Sequence, residues 1–397
     1  MIISKQIEGF LTRSSWIRAM FEEGERLKKI YGADKVFDLT LGNPAVEPPA
    51  SFKEELKQLA LNPVPGMHRY MNNAGYLETR QAVAEVVSED SGLAFSANNV
   101  VMTVGAGGAL NVVIKTILDP GQEVIVLAPY FVEYDFYIGN HGGTIKVVQT
   151  KEDFQPDLDA LASAITANTR AIIINSPNNP TGVVYHADAL EELGILLQAK
   201  GTQYNSTIYV ISDEPYAKIT YDGIKVPNIF KYVDNSFVVT SHSKDLALPG
   251  ERIGYIAFSP KISDPELLLG GLCFANRTLG FVNAPAILQR AVTKLQRETV
   301  DLTEYKEKRD ILYDNLIAMG YQMVKPQGAF YLFPKSPIAD DVAFIKEAAK
   351  ENLLLVPGSG FGAPGYFRIA YCMEKEIIQN SLPAFRKLAE LYNLSAR

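Results

Sequence analysis

Cysteine is nearly absent: Cys273 and Cys372 are the two among 397 residues. Two thiols cannot build a disulfide framework, and they fit a reducing compartment. Positive charge is not in excess either. Thirty-eight lysines and arginines stand against 45 acidic residues, a net charge of −7, which excludes the electrostatic footprint of a nucleic-acid binder. Long apolar runs are missing. Stretches such as 124–128, 171–174 and 256–258 fall far short of the ~20 residues of a spanning helix. Lys5, Glu8 and Arg13 interrupt the N-terminal stretch before a signal-type apolar core can form. No repeat, low-complexity tract or long charge block occurs. A cytosolic protein is expected, with no membrane partner and no metal.

What is present is an ordinary globular composition, 47% hydrophobic and 21% charged. That is too apolar for intrinsic disorder. The length exceeds the roughly 250–300 residues at which single cores stop growing, so two domains are expected. Short runs rich in Val and Ile alternate with helical patterns. Strands are expected at 100–104, 123–128, 144–148, 170–175, 207–212, 236–241 and 253–258. Helices fall between them at about 109–118, 132–140, 158–165 and 187–199. Such alternation means βαβ units and a mostly parallel sheet buried on both faces. An amphipathic helix is expected over 16–31, and one long helical stretch over about 282–320. The end of the chain mixes short strands, at 329–333 and 366–371, with helices. The fold class is therefore α/β: a large domain with a mostly parallel sheet between helices, plus a smaller α+β domain. The boundaries expected are 1–45 for an arm and part of the small domain, 46–285 for the large domain, and 286–397 for the small one.

Active sites of open α/β sheets lie beyond the carboxyl ends of the strands. After the first strand comes Gly105-Ala106-Gly107-Gly108 and a helix, in outline a phosphate cradle. A tight turn needing small residues explains it equally well, and it matches neither a dinucleotide fingerprint nor a P-loop. After 170–175 comes Ser176-Pro177-Asn178-Asn179-Pro180-Thr181-Gly182, a specified loop that is either a plain turn or a platform for an amide. After 207–212 come Asp213 and Tyr216, whose carboxylate and phenol could face one ligand or simply cap and pack. After 236–241 come Ser241-His242-Ser243-Lys244 and, eight residues beyond the lysine, Arg252. A lysine in small, apolar surroundings beside an arginine suggests an amine nucleophile near an anion site. Together these segments are the equipment for pyridoxal phosphate: a Schiff-base lysine, an acid for the ring nitrogen, and Arg with backbone N–H groups for the phosphate.

These segments, in this order and over nearly the whole chain, resemble the class I/II aminotransferases, fold-type I pyridoxal phosphate enzymes related to aspartate aminotransferase. The resemblance implies the following roles. Lys244 forms the Schiff base with pyridoxal phosphate and then moves the proton at the substrate α-carbon. Asp213 pairs with the ring nitrogen, and Tyr216 and Asn179 bond its hydroxyl. Arg252, Ser241, Ser243 and the amides of Gly105, Ala106 and Gly107 hold the phosphate. Phe131, in Pro129-Tyr130-Phe131, stacks on the ring. Arg368, in Phe367-Arg368-Ile369, takes the substrate carboxylate in a two-pronged grip that lysine cannot reproduce. Gly42, in Leu41-Gly42-Asn43-Pro44, closes over the substrate. Tyr70 reaches the phosphate of a neighbouring subunit, which implies a homodimer with shared sites. His242 departs from the usual pattern, and Gly105 lacks the hydroxyl common in relatives, which removes one phosphate contact.

The activity implied is transfer of an amino group between an L-amino acid and a 2-oxo acid. The alternative is a C–S β-lyase acting on cystathionine-type substrates, which shares nearly all these motifs. A non-catalytic regulator is disfavoured, because only about 40 residues precede Leu41, too few for a DNA-binding domain. Arg277 stands near where aspartate-specific relatives place a cation for a distal carboxylate. It is either that cation or an exposed interface residue.

Overall fold

In a computed structural model of the chain, residues 2–13, 24, 26, 28–30, 32 and 35–395 are described. Most of the helix expected over 16–31 lies outside the described residues, although 28–30 are helical. The strands, in chain order, are β1 (Phe37–Asp38), β2 (Val100–Thr103), β3 (Glu123–Ala128), β4 (Thr144–Gln149), β5 (Thr169–Asn175), β6 (Tyr209–Asp213), β7 (Ser236–Ser241), β8 (Gly254–Phe258), β9 (Tyr331–Leu332), β10 (Leu353–Leu354), β11 (Val356–Pro357) and β12 (Phe367–Ala370).

Seven of them form the main sheet, in the order β2-β8-β7-β6-β5-β3-β4. The β7-β6-β5-β3-β4 pairings are parallel, and β8 runs antiparallel to both neighbours. The apolar runs make this possible. Successive side chains of a strand point to opposite faces, so a continuous run supplies two cores. Val124 and Val126 of β3, with Ala171 and Ile173 of β5, enter the core under the helices Gly105–Ile117 and Pro265–Thr278. Ile125 and Leu127, with Ile172 and Ile174, enter the opposite core, built with the helices Leu77–Ser91 and Ala187–Tyr204. Strand β4 is the exception. As an edge strand it is largely exposed, and Lys146 sits on it within 3.9 Å of Glu123. A charged edge discourages further pairing.

A third core gathers the remaining elements. Phe330, Leu332, Phe367 and Ile369 pack there against the helices Thr303–Ala318, Asp341–Lys350 and Lys375–Leu391. Strands β11-β12-β9 form an antiparallel sheet, and β1 pairs in parallel with β10. The N-terminal stretch is thereby tied to residues near the other end of the chain.

The long helix expected over 282–320 is two helices, Ala286–Val292 and Thr303–Ala318, with a short 3₁₀ turn at Thr293–Leu295 and an irregular link between. Side chains replace the helical bonds in the link. Lys218 Nζ donates to the carbonyls of Gln296 (2.6 Å) and Glu298 (3.2 Å), and Asp301 accepts from the Thr303 amide at 2.9 Å. Periodicity alone continued through these residues because nothing in it registers a lysine from a distant loop.

Candidate active site

The carboxyl ends of β2, β5, β6 and β7 converge on one cavity of about 370 Å³. At the end of β2, Gly105 opens a helix with φ +69°, and an added Cβ would lie 2.7 Å from Arg252 Nη2. Glycine is therefore required twice over, for the left-handed backbone and for the close approach of a guanidinium. The helix N-terminus, with Ala106 and Gly107 in the cavity wall, offers unpaired N–H groups. Arg252 itself has φ +51° and donates from Nη1 to the Pro249 carbonyl at 2.9 Å. A non-glycine residue rarely adopts that conformation.

At the end of β5, Asn175 clips two strand ends together. Its Nδ2 donates to the Asp213 carbonyl and its Oδ1 accepts from the Asn179 amide, both at 2.7 Å. Asn178 serves the turn itself, accepting from the Thr181 amide and hydroxyl. Asn179 faces the cavity, and its Oδ1 accepts from Arg368 Nη1 at 2.9 Å.

Asp213 ends β6. Its Oδ2 accepts from Tyr134 Oη at 2.7 Å, while Oδ1 is buried without a partner. Burial pushes this carboxyl up to about 7 from an ordinary 3.8. Tyr216 is buried and shares a 2.9 Å hydrogen bond with the Tyr331 hydroxyl.

Beyond β7, Ser241, Ser243 and Lys244 line the cavity. Lys244 Nζ donates to the Gly42 carbonyl at 2.5 Å and lies 5.5 Å from the Phe330 ring centre. Burial, with the cations of Arg368 and Arg252, brings its amine down to about 8. A Cβ on Gly42 would collide with the Tyr331 hydroxyl, so only glycine brings that carbonyl to the lysine. Arg368, on β12, is buried with its guanidinium 4.7 Å from the ring centres of both Tyr331 and Phe361. Its Nη2 donates to the Thr40 carbonyl at 2.5 Å, and its Nε has no partner.

The model of the family described as aminotransferase class I and II matches residues 34–385. The chain belongs to the class I and II aminotransferases. It is 34% identical to the aspartate/prephenate aminotransferase of Thermus thermophilus over 363 residues, which cover 88% of this chain and 90% of that one. It is 30% identical to the aromatic-amino-acid aminotransferase 2 of Thermococcus litoralis, with 98% of each covered. Among solved structures, an aminotransferase from Eubacterium rectale superposes with a TM-score of 0.96 at 41% identity, over 99% of this chain and 100% of that one. The aspartate aminotransferase of T. thermophilus with maleate gives 0.83 at 28% identity, over 98% and 100%. The activity is thus a pyridoxal phosphate-dependent transamination, and nothing favours the C–S lyase expected as its alternative.

The cavity of this aminotransferase fits the cofactor. The unpartnered Asp213 Oδ1 is an acceptor awaiting a cationic N–H, and the helix N-terminus beside Arg252 is an anion cradle. Lys244 and Arg368 stand in the same wall.

The residues singled out by sequence are brought together with three exceptions. Gly105 sits behind the wall, against Arg252. Tyr70 is 90% exposed, beside a separate open cavity of about 550 Å³. Arg277 is exposed and lies over the Phe274 ring at 5.3 Å, away from the cavity. Sequence reasoning missed Tyr331 and Asn175, and it gave no role to Tyr134 and Tyr137, whose helical spacing suits an aromatic substrate and a core equally. Tyr331 hid in an apolar strand.

Asp213 carries a prediction for the cofactor-free protein. Its folded pKa is raised above the unfolded value, so between about 4 and about 7 the folded chain holds a proton that the unfolded chain has released. Stability therefore falls as pH rises through that window, by up to ~1.4 kcal/mol per unit for such a group. Urea unfolding at pH 5 and pH 7 should show a loss smaller by about 1 kcal/mol or more in Asp213→Asn. Equal losses in the two proteins would contradict the assignment.

Proposed function

We propose that this cavity binds pyridoxal phosphate and carries both halves of the amino transfer, with the roles distributed as follows. Arg252, Ser241, Ser243 and the helix N-terminus from Gly105 to Gly107 hold the phosphate. Asp213 holds a proton on the ring nitrogen, kept in line by Tyr134. Tyr216 and Asn179 bond the ring hydroxyl, and Phe131 flanks the ring. When bound, the cofactor supplies an electron sink for the bond broken at the substrate α-carbon. Lys244 would hold it covalently and, once displaced by substrate, would take the proton from the substrate α-carbon. An amine brought down to about 8 is substantially neutral near that pH, as a base must be. In the cofactor-free chain the Gly42 carbonyl holds this amine in the cavity. Arg368 binds the α-carboxylate, using the donor at Nε that the protein leaves unpaired.

The observation that carries this reading is the convergence of a desolvated amine, an orphaned carboxylate oxygen and an incompletely paired guanidinium in one cavity. The names of the relatives differ in side chain and share the α-amino and α-carboxyl groups, the part of the substrate that Lys244 and Arg368 address. We further propose the division 1–45, 46–285 and 286–397, a homodimer in which Tyr70 reaches the partner's phosphate, and a cytoplasmic setting. The exposure of Tyr70 and the two free cysteines support these. Among the described residues no helix is long and apolar enough to cross a membrane.

The test is a half-reaction. Single L-amino acids, added without a 2-oxo acid, should bleach the visible band of the lysine-bound cofactor, and a 2-oxo acid should restore it. A band that survives while pyruvate and a thiol accumulate would contradict the transaminase reading. In the same assay Arg368→Lys should lower kcat/KM about 30-fold or more for every amino acid alike, since lysine loses the two-pronged grip.

A further inference from the structure

One carboxylate in the cavity wall has no part in these roles. Glu133 opens the helix Glu133–Asn140 and is half-buried in the same cavity as Lys244 and Arg368. Asp135, two residues on, accepts from Tyr130 Oη at 3.0 Å. Glu133 has no hydrogen-bond or ion-pair partner among the described residues. Burial alone raises its carboxyl above the ordinary range, with no cation acting against it. The helix dipole favours an acid at this position. It does not require the acid to face a cavity whose other walls include Leu41, Phe131 and Phe361.

The cations of the cavity are already committed. Arg252 leans over the helix N-terminus, Lys244 is the reacting amine, and Arg368 is flanked by two rings and half-paired to Asn179 and Thr40. A substrate with a second carboxylate needs a further cation in the wall. Among the charged side chains of that wall, the one left over is an acid.

We propose that Glu133 sets the side-chain charge this site accepts: it repels a distal carboxylate and receives a side chain ending in an amine, a guanidinium or an amide N–H. The inference rests on the transaminase reading of the cavity given above. An unpaired acid on an apolar wall discriminates in both directions. It attracts a donor, and it leaves a second anion desolvated beside a like charge. Because Glu133 is half-exposed, screening keeps the effect near tenfold rather than the far larger values of a dry pair.

The experiment measures kcat/KM for ornithine, glutamine, aspartate and glutamate, each as a ratio to norvaline, whose side chain ends in a methyl group. The holoenzymes compared are wild type, Glu133→Gln and Glu133→Lys. In the wild type, ornithine and glutamine should exceed norvaline, and aspartate and glutamate should fall below it. Glu133→Gln should raise the two dicarboxylate ratios about tenfold and lower the ornithine ratio by a similar factor, and Glu133→Lys should move both further the same way. The glutamine substitution preserves size, so the visible cofactor band reports that the site is intact. Ratios within twofold of wild type in Glu133→Gln would overturn the proposal, as would a wild-type preference for aspartate or glutamate over norvaline. Failure of every amino acid, norvaline included, to react with the wild type would instead overturn the transaminase reading itself.

Discussion

Lys244→Ala is expected to keep its fold and lose at least about four orders of magnitude in turnover. Proton transfer by a positioned side chain contributes up to ~10⁴-fold, and loss of the covalent anchor adds to that. The structure argues that the protein itself tolerates the change. Burial and two neighbouring arginines disfavour the charged amine, which is why it stands near 8. Removing it relieves that cost and forfeits one hydrogen bond, to the Gly42 carbonyl. Thermal unfolding of the cofactor-free variant should therefore match the parent closely. The phosphate cradle and Asp213 are untouched, so the variant should still bind the cofactor, now noncovalently and removable by gel filtration. Retained turnover at the parental rate would take Lys244 out of the mechanism.

Asp213→Asn is expected to lower kcat about 100- to 1000-fold while changing KM little. Breaking a buried charge pair by removing one partner costs roughly 3–5 kcal/mol, and here the cost falls on the step that needs a protonated ring. The amide is nearly the same size, and Tyr134 can still donate to its oxygen, so packing is preserved. Tyr134→Phe isolates the hydrogen bond from the charge. It removes a charge-assisted bond of ~1.5–3 kcal/mol, part of which water replaces, so a loss of about tenfold is expected. If Asp213→Asn stayed within tenfold of the parent, some other group would have to hold the proton.

Most of the main sheet was legible because parallel strands are buried on both faces. Runs such as the residues of β3 and β5 then announce themselves without any need for alternation. Edge strand β4 is legible as a strand, and its exposure follows from its place at the end of the sheet together with its polar residues, Lys146 among them. Lys244, Asp213, Asn179 and Arg252 were legible for a different reason. They follow strand ends in segments whose glycines, prolines and hydroxyls have no purpose in a core. Tyr134 and Tyr331 lack such surroundings. A buried phenol that hydrogen-bonds another residue of the site and one that fills a core occupy the same positions of a helix or strand. Only the partner's location separates them, and that partner lies 79 residues away for Tyr134 and 115 for Tyr331. Glu133 was hidden in the same way, at a helix start where an acid is ordinary.

The bond from Arg368 to the Thr40 carbonyl spans 328 positions, and that from Lys244 to Gly42 spans 202. The cavity therefore belongs to no contiguous fragment. A nascent chain that has released everything up to β8 holds the lysine and the phosphate cradle, yet lacks the wall made by β9 and β12. Long-range closure of this kind is slow to form, and a ligand that binds the finished site stabilises the native chain alone. Substrate binding therefore awaits both ends of the chain, Thr40 and Gly42 from one and Arg368 from the other, whereas the residues assigned to the cofactor all lie before the end of β8.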